Sequence, residues 1–151
     1  MEHAVLNKTS ESVSIAPLDQ GAITLLWDEI SACIRESVGD DPITESNALG
    51  ALRAREMIAW AVRDSGKVVG ILITRPVENG YSGGSAMLIY GVRGTLDLDG
   101  WRVASGQFEA ACRGAGVRKI TAFLQNDRSE RLAHALGWQT KMMAWKELDN
   151  G

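Results

Sequence analysis

Histidine and cysteine are scarce in this chain, with two of each in 151 residues. His3 sits near the start and His134 stands alone, so no ligand spacing for a metal is present and none is expected. Cys33 and Cys112 both fall on the apolar faces of predicted helices, which reads as small core side chains rather than nucleophiles. Clustered Lys and Arg are also missing, and the formal net charge is -3. A surface that tracks phosphates needs such clusters, so nucleic acid is disfavoured and not expected as a partner. No apolar run is long enough to span a bilayer or to act as a signal peptide, so no membrane association is expected. The expectation is a soluble, cytoplasmic protein.

What is present is a core. Hydrophobic residues make up 45% of the chain, enough for one folded domain over residues 12–151 behind a loose start at 1–11. Ser12–Ala16 alternates as a first strand. Pro17 and Asp19 then lead into an amphipathic helix over about 20–37, with Ile23, Leu26, Trp27, Ile30, Cys33 and Ile34 on one face. Gly39 stops it. Asp40-Asp41-Pro42 reads as a loop, and Thr44 caps a second helix over about 45–54. Strands are predicted over 57–62 and 67–74, joined by the turn Asp64-Ser65-Gly66 and ended by Pro76. Residues 78–84 read as a surface connection.

The stretch from Ser85 to Trp138 organises the rest. It reads as a strand over 86–92 that is apolar on both faces, a loop, a helix over 98–115, a strand over 117–124 and a short helix over 129–136. Leu98, Trp101, Phe108, Ala111, Cys112 and Ala115 are placed on one side of the longer helix. Two strands flanking such a helix imply a parallel crossover. The loop entering the helix N-terminus is where backbone N–H groups converge on an anion. A last strand is predicted over 140–148, where Met143 and Trp145 could pack inside the monomer or in a homodimer or other protein contact. The tryptophans fall mostly at periodic apolar positions and read as core.

The order β-α-α-β-β-β-α-β-α-β resembles the GNAT fold of the GCN5-related N-acetyltransferases. The residues that carry the likeness are Ala115-Gly116-Val117 closing the long helix, the strand start Arg118-Lys119-Ile120, Asn126, and Leu136-Gly137-Trp138. The last of these is similar to the family's Leu-Gly-Phe segment, with Trp138 for Phe. The chain is most similar to small, divergent GNAT-like proteins of phage genomes. The resemblance implies an α/β fold with a mixed central sheet flanked by helices.

It also implies acetyl transfer from acetyl-CoA to a primary amine by direct attack. In that reading Tyr90 is the candidate catalytic acid, and Tyr90, Val92, Arg93, Gly94 and Asn126 bind the cosubstrate. Asp40, Asp41 and Glu45 lie on the amine side. The chain departs from the family in three ways. Counted from Arg93, the positions of the two small residues of the family's pyrophosphate loop are Leu96 and Leu98. Asp97 and Asp99 place two acids where an anion would sit, and Asp97 reads more naturally as a helix cap. The family's Tyr, four residues before the Gly, is Ala133 here. These departures favour the alternative, a GNAT-like binding or structural protein without transfer, virion-associated or bound to a host factor.

Overall fold

A computed structural model describes residues 12–37, 45–79, 84–122, 124, 127–140, 146 and 148. The described elements, in chain order, are β1 (Val13–Pro17), α1 (Gln20–Leu25), α2 (Trp27–Ser37), α3 (Glu45–Arg53), β2 (Ile58–Asp64), β3 (Lys67–Asn79), β4 (Gly84–Gly94), α4 (Leu98–Gly114), β5 (Val117–Ala122) and α5 (Asp127–Ala135). The five strands form one sheet in the order β1-β2-β3-β4-β5. The first four run antiparallel, and β4 pairs with β5 in parallel. The parallel pair exists because α4 carries the chain back across the sheet, as the apolar spacing of that segment predicts.

Helices cover both faces. On one, Ile30, Cys33 and Ile34 of α2 and Ala48 and Leu52 of α3 pack with Ala59, Ile71 and Ile73 of the sheet. On the other, Phe108 and Cys112 of α4 pack with Trp60, Leu72 and Met87. The Trp60 and Phe108 rings meet edge to face at 5.0 Å, a geometry in which the positive ring edge meets the negative face. The indole N–H of Trp60 donates to the Thr74 hydroxyl at 2.9 Å, so the one polar atom of the ring is satisfied in the interior.

Several predicted boundaries shift. The helix over 20–37 is broken at Leu26, so three helices rather than two precede β2. The Thr24 hydroxyl donates back to the Gln20 carbonyl at 3.2 Å, a competing bond that bends helices. Pro76 does not end its strand. It lies beyond the last β2 pairing at Thr74, where β3 has a partner only in β4, a setting that tolerates a residue lacking an N–H. Residues 78, 79 and 84, expected in a loop, therefore extend the β3–β4 ribbon. On α4 the buried stripe is Gly100, Ala104, Phe108 and Cys112. Leu98, Ala111 and Ala115 are exposed, because a strict four-residue stripe faces the sheet and they fall off it. The predicted final strand over 140–148, with Met143 and Trp145, lies almost wholly outside the described residues, as do residues 1–11.

Candidate functional site

The site lies along the second half of β4. Ile73 of β3 pairs with Gly91 and Thr74 pairs with Ile89, so Tyr90 is the extra residue of a β-bulge. A bulge bends its strand and sharpens its twist. Among the described residues the parallel pairing with β5 runs from Ser85 and Val117 to Ile89 and Ala122, and β4 continues to Gly94. Past the bulge β4 stays paired with β3 as far as Gly94, and Tyr90, Gly91 and Val92 border a cleft. Backbone N–H and C=O groups left unpaired on such a segment are open to whatever enters.

A cavity of about 250 Å³ occupies this cleft. Its wall includes Tyr90, Gly91 and Val92 of β4, Ala122 of β5, and Leu132 and Ala133 of α5. Val92 and Leu124 are 42% and 39% exposed and stand at its apolar mouth. Glu36, at the end of α2, also lines the cavity. Its carboxylate lies 3.5 Å from the Arg93 guanidinium. In the sequence Glu36 falls off the apolar face of its helix and carries no signal of a site. Its approach to β4 depends on a tertiary contact that periodicity does not encode.

The loop between β4 and α4 is closed on itself. Asp97 is the α4 N-cap, and its carboxylate accepts from the Gly100 N–H at 2.8 Å. Gly100 is buried beneath Leu96, and a Cβ there would stand 2.9 Å from Leu96 Cδ2. The small residue of this turn thus lets the chain's own Leu and Asp fold over the helix end, which uses one donor that an anion would otherwise take. Asp99 is held by Arg102 at 3.2 Å. Gly94 pairs with Gly70 across the sheet. A Cβ on Gly94 would lie 3.0 Å from the Val69 carbonyl and 3.1 Å from Trp101 Cζ2, so the close approach of strand and helix requires a glycine.

The predicted site residues distribute unevenly. Tyr90, Val92, Arg93 and Gly94 are brought together at the end of β4. The Tyr90 ring packs against the α2–α3 core cluster with its hydroxyl oxygen buried, while the residue also borders the cavity. Asn126, Asp40 and Asp41 lie outside the described residues, and Glu45 opens α3. Ala133 is only 7% exposed and lines the cavity, whereas His134 points outward and lies 3.7 Å from Glu130 on the helix surface. Among the described residues, no group of three or more His, Cys, Asp or Glu side chains is placed to hold a metal, and no helix is long and apolar enough to cross a membrane.

No protein-family model and no curated protein match this chain. Solved structures do. A GNAT family acetyltransferase from Staphylococcus aureus superposes with a TM-score of 0.61 at 12% identity, over 91% of this chain and 98% of that one. The chain has the GNAT acetyltransferase fold. An aminoglycoside N-acetyltransferase solved in complex with CoA gives a TM-score of 0.63 at 14% identity, over 92% of this chain and 95% of that one. A ribosomal-protein-alanine N-acetyltransferase from Brucella melitensis biovar Abortus gives 0.62 at 15% identity, over 91% and 99%. The GNAT architecture therefore spans nearly the whole chain.

Proposed function

We infer that this protein is an N-acyltransferase that takes its acyl group from a CoA thioester, acetyl-CoA being the simplest, and passes it to a primary amine. The observation that carries this reading is the segment of β4 from Tyr90 to Val92 along the wall of a half-open, largely apolar cavity. The amide-bearing arm of CoA can pair with that segment as an added strand, and the cavity excludes water from the thioester. Backbone N–H groups of the Tyr90–Val92 segment would hold the thioester carbonyl as negative charge develops on it. That CoA was found bound to one of the structural neighbours supports the choice of cosubstrate.

Glu36 lines the cavity, and its carboxylate lies 3.5 Å from the guanidinium of Arg93, the residue after that segment. It would attract a cationic amine and take a proton from it, directly or through water. Arg93 has two calls on it, the Glu36 carboxylate and the phosphates of the cosubstrate. Tyr90 remains the candidate acid toward the leaving thiolate, Asn126 is proposed to bind the cosubstrate, and Asp40, Asp41 and Glu45 are proposed to serve the amine.

The self-capped α4 N-terminus favours a second reading, a GNAT scaffold that binds a partner without transfer. Thiol release separates the two. With acetyl-CoA and a panel of amines (polyamines, aminoglycosides, N-terminal peptides), the transferase reading expects amine-dependent release of free CoA, reduced at least tenfold by Glu36→Gln. Absence of release with every amine, together with a lack of thermal stabilisation by CoA, would leave the scaffold reading standing.

A further inference from the structure

The cavity is longer than an acetyl group requires. Its wall takes one residue or more from every strand of the sheet: Ile15 of β1, Val62 of β2, Leu72 of β3, Ile89 of β4 and Ala122 of β5. Neighbouring strands lie roughly 4.8 Å apart, so the distance across the sheet from β4 to β1 is about 14 Å. Val62 is fully buried, so the half-open cavity extends at its inner end to the core beneath α4. Opposite the strands it is walled by Ala104 and Phe108 of α4. Among the described residues, Glu36 at the β4 end and Glu109, an exposed residue of α4, are the charged side chains of the wall. Ala133 adds width where a larger side chain would fill the mouth.

An apolar slot that leads inward from the Tyr90–Val92 segment of β4 has one natural occupant, the acyl chain of the thioester whose arm lies on that segment. We propose that the preferred donor is a medium-chain acyl-CoA rather than acetyl-CoA. This rests on the transferase reading above and deepens it. A volume of about 250 Å³ accepts around eight groups at roughly 30 Å³ each. With two or three taken by the thiol end of the arm, a chain of about six carbons remains. The reaction balances as ordinary acyl transfer: the amine nitrogen forms the amide bond, the C–S bond breaks, the thiolate leaves with the electron pair, and the amine proton ends on the thiol. No further reactant is needed.

The test is a calorimetric and kinetic series with CoA and with acetyl-, butanoyl-, hexanoyl- and decanoyl-CoA. Each methylene taken into the slot is expected to raise affinity and the specificity constant by about threefold to fourfold. The rise should run through hexanoyl and stop or reverse by decanoyl. Ala104→Leu fills the inner slot and should shift the optimum back toward acetyl. Ser105→Leu, on the less buried side of the same wall, is a second variant should Ala104→Leu fail to fold. Equal affinity for CoA and all four thioesters would overturn this inference while leaving the transferase reading intact. Failure of CoA itself to bind would overturn both.

Discussion

Asp97 does two opposed things. Its carboxylate caps α4 through the Gly100 N–H, and the same charge faces the place where a phosphate would approach. The two roles can be separated, because Asn caps a helix about as well as Asp without the charge. Asp97→Asn should leave the thermal midpoint within a degree or two. It should tighten CoA binding about fivefold, the effect of removing roughly 1 kcal/mol of repulsion in a solvated site. A loss of affinity in titration would show that the carboxylate is not opposed to the ligand. Cys112 makes a simpler residue-scale case. Burial raises its thiol pKa, and the Glu109 carboxylate adds to the rise. The neutral thiol is thus favoured in the folded state. The resulting stability is fully present below the ordinary thiol pKa and fades as pH climbs through the raised value. Alkylation of native protein at neutral pH should be much slower than of unfolded protein, and urea stability should fall at alkaline pH less steeply in Cys112→Ala.

At the scale of elements, β1 is an edge strand whose open side α4 closes with a single side chain. The Gln107 amide accepts from the Ile15 N–H at 2.9 Å and donates to the Val13 carbonyl at 2.9 Å, so it replaces a missing strand. Gln107→Ala should cost about 1–2 kcal/mol in denaturant unfolding, two hydrogen bonds at about 1 kcal/mol or less each. Gly94→Ala should cost more, about 1–3 kcal/mol, since backbone and the Trp101 ring must both give way. An unchanged midpoint in either variant would contradict the packing described. Such pairings were invisible in the sequence, since Gln107 and Ile15 are far apart in the chain. The elements themselves were legible where periodicity was strong. The existence of α4, its buried Phe108 and Cys112 and the capping Asp97 could be read directly, whereas Gly100 and Ala104 of its buried stripe could not. The break at Leu26 and the passage of β3 through Pro76 could not, because each depends on what lies alongside.

For the whole molecule, the order of strands and helices was legible, and with it the GNAT resemblance. The site was legible only in part. The end of β4 was singled out for its loop and its Arg93. The bulge at Tyr90 and the reach of the cavity to β1 are properties of the assembled sheet. Glu36 came to the site by the packing of α2 on β4 rather than by any motif. These features together make the Tyr90–Gly94 segment of β4 the centre of the account.

Backbone amide hydrogen exchange with and without saturating CoA tests that centre most directly. The account predicts new protection confined to the β4 segment Tyr90–Gly94 and the facing part of α5, with β1 and β2 unchanged by CoA alone. Protection elsewhere, or none at concentrations that saturate other binding signals, would contradict it.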